Sequence, residues 1–130
     1  VSVIPLDAGP EITLAAAVPK DIWSLSGRGT SCPAATQQVV RVTWTGGVRL
    51  PNRDELGDAQ KSLYQVTVTS ADGSQSQVGP AALAELGDND NNHFLCLDTT
   101  TPATAVAFPA GHLVDPNGDL NAASKVMVRR

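Results

Sequence analysis

The chain is expected to be an all-β protein, an antiparallel β-sandwich, and three observations lead there. First, two runs alternate with a period of two. In 39–45, Val40, Val42 and Trp44 fall on one side and Arg41, Thr43 and Thr45 on the other. In 63–69, Tyr64, Val66 and Val68 oppose Gln65, Thr67 and Thr69. Alternation of this kind places each set on one face of a half-buried strand. Second, short β-rich runs recur along the chain with turn residues between them, a spacing that favours a sandwich over a helical or βαβ fold. Third, aromatics make up only 4% of the sequence. Val, Leu, Ala and Thr must therefore fill the interior, which suits a thin sheet-on-sheet core.

The elements follow in order. Residues 1–4 and 11–17 read as edge or N-terminal strands separated by a Pro-Leu-Asp-Ala-Gly-Pro turn. Pro5, Pro10 and Pro19 remove backbone donors and confine this region to a sheet edge. Segment 1–20 is accordingly expected as a docking or edge-strand arm of a single domain spanning 1–130. Residues 21–33 place Trp23 in a loop rich in Ser and Gly. After the 39–45 strand, Gly46 and Gly47 open a long connection with one helical turn over 54–61. The 63–69 strand ends at Ala71-Asp72-Gly73, a hairpin signal, and 74–78 should pair back against it. One short helix is expected over 80–86, with Pro80 at its first position and Gly87 as a left-handed stop. Segments 93–98, 103–108, 111–114 and 125–129 read as the remaining strands.

Composition excludes several classes of function. The net charge is −4, and the basic residues are scattered apart from Lys125, Arg129 and Arg130 near the end. No basic stripe interleaves with aromatics, which argues against nucleic-acid binding. No apolar run approaches the roughly 20 residues of a membrane helix. Cys32 and Cys96, the two cysteines, stand far apart. In an oxidising compartment a bond between them would close a long loop, worth about 4 kcal/mol in the chain-entropy account. In a reducing one they are two small buried hydrophobes.

A family resemblance rests on particular residues. Val40-Arg41-Val42-Thr43-Trp44-Thr45 is placed like an early Trp-bearing strand, and 63–69 like the strand after it. The stretch from Pro102 through Asn117-Gly118 to 122–129 looks like a closing hairpin. On these features the chain resembles the fibronectin type III and immunoglobulin-like sandwiches. The resemblance implies that fold, and a range of adhesion, assembly and spacer roles without selecting one.

In the sandwich order three loops, 46–61, 79–92 and 115–121, would gather at one end with Asp54, Glu55, Asp58, Asp88, Asp90, Asp115 and Asp119. Asp88, Asp90 and Asn92, and likewise Asp115, Asn117 and Asp119, have the alternate spacing that opens a calcium loop. Neither run supplies the closing bidentate Glu, and the competing reading is of turns in which Asn and Asp bond their own backbone. Calcium on Asp88, Asp90, Asp115, Asn117 and Asp119 is the only ion the sequence suggests, and no organic cofactor is expected. Enzyme signals are sparse. There is no Gly-x-Ser-x-Gly elbow, and Cys96 with His93 or His112 is the nearest approach to a thiol–imidazole pair. His93 and Cys96 are also the one pair with usable zinc spacing.

The sequence thus points to a non-catalytic structural or interaction module of an extracellular, cell-surface or virion assembly, such as a filament subunit or a phage decoration protein. Its expected partner is protein, either itself or a neighbouring subunit, with no nucleic acid and no membrane insertion. Val3, Ile4, Ile12, Leu14 and Trp23 are the expected interface residues. The alternative is a carbohydrate- or ligand-binding module working through the acidic loop end.

Overall fold

The computed structural model describes residues 9–18, 32–33, 35–52, 58–85 and 91–129. Within them are eight strands: β1 Ile12–Val18, β2 Gln38–Trp44, β3 Gln65–Thr69, β4 Gln75–Val78, β5 Ala82–Glu85, β6 Asn92–Leu97, β7 Ala103–Phe108 and β8 Ser124–Arg129. A short 3-10 helix, Asp58–Leu63, precedes β3. The strands form one curled sheet in the order β4-β3-β7-β8-β1-β2-β6-β5. It is mixed, not purely antiparallel as expected, because β1 runs parallel to β8 through Ala15 and Val128. Every other pairing is antiparallel.

The alternating runs fold as their pattern dictates. Val40, Val42 and Trp44 of β2 are buried, as are Tyr64 and the β3 residues Val66 and Val68. They join Leu95 and Leu97 of β6 and Val106 and Phe108 of β7 in one apolar cluster drawn from both flanks of the sheet. A second cluster forms on the opposite face of β2 and β6, from Val39, Phe94, Cys96 and Ala82. Strand β6 is therefore buried on both faces, and its run His-Phe-Leu-Cys-Leu loses visible alternation for that reason.

Two expectations are corrected. Residues 82–85 are not helical but form β5, with Ala82 opposite Cys96 and Leu83 opposite Leu95. About two turns of helix are marginal alone, and a strand that buries Leu83 against β6 overrides the local preference of Ala and Leu. Segment 111–114 is not a strand either. Gly111 takes φ 83° and Val114 makes only isolated bridges, to Arg49 and Leu120. The expected strand at 1–4 lies outside the described residues.

The 1–20 segment behaves otherwise than as an edge arm over its described part. Strand β1 sits between β8 and β2, and Ile12 is 4% exposed. Its start is pinned on both sides: Thr45 N–H donates to the Glu11 carbonyl at 2.9 Å, and Ala122 N–H to that of Pro10 at 3.2 Å. Gly9 has φ 70°, and a Cβ there would collide with the Leu120 carbonyl. Only glycine meets both demands.

Candidate functional site

Three polar ring side chains, Trp44, Tyr64 and His93, meet in the core. Tyr64 lies just before β3, on the flank opposite Trp44 of β2 and His93 of β6. Trp44 Nε1–H donates to the Tyr64 hydroxyl at 3.0 Å. The same hydroxyl lies 2.7 Å from His93 Nδ1. Phe108 packs edge-on against both Trp44 and Tyr64, with ring centroids 5.2 and 4.8 Å away. All four side chains are under 2% exposed. The arrangement ties the two flanks of the sheet together by direct side-chain hydrogen bonds.

Thiol chemistry is ruled out at Cys96 by a disulfide. Cys32 and Cys96 are bonded, with Cα atoms 5.7 Å apart across a sequence separation of 64. The pairing left open by the sequence is thus made. It also removes the His93–Cys96 pair as a zinc or nucleophile constellation: on β6 the two residues face opposite sides, His93 toward Tyr64 and Cys96 into the second cluster.

The acidic loop end is assembled only in part. Arg49 and Val114 exchange backbone hydrogen bonds of 3.0 and 2.9 Å, so the loop after β2 meets the one before β8. Asp88 and Asp90, and Asp54 and Glu55, lie outside the described residues, as do Val3, Ile4 and Trp23. Asp115, Asn117 and Asp119 form a turn. Asp115 Oδ1 accepts from the backbone N–H groups of Asn117 and Asp119 at 2.9 and 3.0 Å, while Gly118 takes φ 87°. That is the self-bonded Asx geometry of a turn. Among the described residues no group of three His, Cys, Asp or Glu side chains could hold a metal ion.

Asn121 was not singled out by the sequence. It is 3% exposed and bonds on every side. Its Oδ1 accepts from the N–H groups of His112 and Leu113, both at 2.8 Å. Its Nδ2 donates to the carbonyls of Pro109 and Ala122 at 2.8 and 3.1 Å. Gln38 does the same across the two flanks, donating to the Thr99 and Thr101 carbonyls and accepting from Ala103 N–H.

The open surface of the described fold is the outer face of β4-β3-β7-β8. One row crosses all four strands in register: Gln77, Thr67, Ala105 and Met127. The next holds Gln65, Ala107 and Lys125. Alanine at 105, between longer neighbours, leaves a shallow depression of about 340 Å³, edged also by Gln75, Ser76 and Thr104. Its lining is amide, hydroxyl and aliphatic, with Lys125 the one charge and Met127 68% exposed. It contains no acid, imidazole or thiol. The outward Thr and Gln of 63–69 are visible in the sequence, but Ala105 of β7 acquires meaning only once its cross-strand neighbours are known.

Comparison with protein families, with curated proteins and with solved structures finds no match to this chain.

Proposed function

We propose that the chain is a non-catalytic interaction module, folded as an immunoglobulin-like sandwich, that builds or decorates an extracellular or virion-surface assembly. The single observation that carries this reading is the segregation of chemistry. The Trp44–Tyr64–His93 chain is buried, while the open face of β4-β3-β7-β8 carries neutral hydrogen-bonding groups, Met127 and two cations of β8, Lys125 and Arg129. A surface of that kind recognises and does not transform.

The strand order supports the sandwich. Taken in chain order, β1-β2-β6-β5 corresponds to an A-B-E-D sheet and β4-β3-β7-β8 to a second sheet C′-C-F-G, the immunoglobulin arrangement. The parallel β1–β8 pair joins the two at one margin. The disulfide is of the kind that persists in oxidising compartments and so favours an exported protein. No helix of the described residues is long and apolar enough to cross a membrane.

Electron microscopy of material from the native source, with the chain located by antibody labelling, tests the reading. Label on a filament, lattice or particle surface is the expected result. Label only on freely dispersed protein would reject it.

A further inference from the structure

The two margins of the sheet differ. At β5 the 3-10 helix packs alongside, and Lys61 Nζ donates to the Ala81 carbonyl at 2.9 Å. Strand β4 is paired only with β3 among the described residues. Residues 71–77 are exposed, and Val78 is half-buried.

The direction of the free backbone groups follows from the hairpin. Ser70 N–H donates to the Ser74 carbonyl at 2.8 Å, so these two form a bonded pair. Thr69 N–H turns the other way, to the Pro102 carbonyl at 3.0 Å. In an antiparallel ladder bonded and non-bonded pairs alternate. Gln75 opposite Thr69, and Gln77 opposite Thr67, therefore direct their N–H and C=O groups away from β3 into solvent. Edge strands are ordinarily protected by lysine, proline, a bulge or a covering element. Residues 74–79, Ser-Gln-Ser-Gln-Val-Gly, contain none of these, and Pro80 comes only after the strand ends.

We infer that β4 is the docking edge of this module and that its occupant is β4 of a second copy of the chain. The inference rests on the interaction-module reading and names its surface and partner. Residues 75–77 are symmetric about Ser76, so two antiparallel copies related by a two-fold axis there place Gln75 opposite Gln77 in both directions. Those are the residues whose backbone groups face outward, and each bonded pair exchanges two N–H···O=C bonds. No like charges meet along the seam. Beyond it, the Asp72 hairpin tip of one copy comes beside the Pro80–Ala81 end of the other, where Lys61 is held on the Ala81 carbonyl: opposite charges at both ends. The axis is normal to the sheet, so the two shallow depressions lie on the same side of a continuous surface. A four-residue seam is small against the ~1,200 Å² of a stable complex, so the dimer is a concentration-dependent one.

Sedimentation equilibrium of the purified chain from about 10 µM to about 1 mM tests this, with amide exchange as a second readout. The wild type is expected to dimerise in that range, with Gln75 and Gln77 amides gaining protection while Ser76, already bonded to β3, stays unchanged. The Gln75→Lys/Gln77→Lys variant sets like charges directly opposite across the seam. Both positions are exposed, so the fold, checked by circular dichroism, should persist while association weakens at least tenfold. A wild type monomeric throughout, or a variant that dimerises as well as wild type, overturns the inference. Neither result touches the microscopy, so a failed edge and a failed module are told apart.

Discussion

Replacing Tyr64 by Phe removes one oxygen from the centre of the protein and nothing else. The ring keeps its place against Phe108, at a centroid distance of 4.8 Å, and against His93 at 6.2 Å. What is lost is the acceptor for Trp44 Nε1–H and the hydroxyl beside His93 Nδ1, at 3.0 and 2.7 Å. A buried polar group deprived of its partner costs about 1–3 kcal/mol. With two such groups in one network, whose costs do not add fully, the expected loss is about 3 kcal/mol. That is a large share of the roughly 5–15 kcal/mol by which domains are stable. Equilibrium urea unfolding followed by far-ultraviolet circular dichroism reads it directly. The midpoint should fall while the slope m stays at the wild-type value, since the surface exposed on unfolding is unchanged. A loss below about 0.5 kcal/mol, the range of ordinary surface substitutions, would mean that water reaches the hydroxyl and that the flanks do not close over it.

Other perturbations test other joints. Asn121→Ala should cost about 3 kcal/mol in the same assay, because Leu113 N–H is left buried without its acceptor and the 109–113 segment loses its staple; a change near zero would refute the staple. Cys32→Ala/Cys96→Ala should lower stability by about 4 kcal/mol through the unfolded chain's regained freedom, and wild-type stability would contradict it. Asp72 has its pKa lowered below 3.8, chiefly by the Ser74 hydroxyl and then by the Ser74 amide, both donating to its carboxylate. Since the folded value lies below the unfolded one, the hairpin tip is supported above the unfolded value, and that support is lost as pH falls through the folded one. The Ser74 amide resonance should shift in that acid range, and Asp72→Asn should abolish the shift.

What the sequence displayed was whatever is written locally. The inward sets Val40-Val42-Trp44 and Tyr64-Val66-Val68 are buried as the alternation required, and the Asp72-Gly73 hairpin sits where it was expected, with Gly73 at φ 87°. Ala82-Leu83-Ala84 has a local preference for helix, whereas its pairing with β6 as strand β5 is a tertiary fact. The parallel contact of Ala15 with Val128 leaves no local trace at all, being set by how far the sheet curls. Nothing local to the sequence marks Asn121; its four bonds exist only because the chain returns past Pro109 and Leu113. The bond between Cys32 and Cys96 depends on compartment as well as geometry, so the sequence left it open. The open edge is a property of topology: 75–78 is a short polar strand whose neighbours are unknown until the sheet order is.

Residue-by-residue amide exchange on the dilute chain tests the division between a sealed interior and an open β4 margin most directly. Trp44 and Leu95, in strands paired on both sides, should exchange at rates set by global unfolding, and Gln75 and Gln77 at rates near those of an unstructured peptide. Slow exchange at Gln75 and Gln77 in the monomer, or rapid exchange at Trp44 and Leu95, would contradict the account.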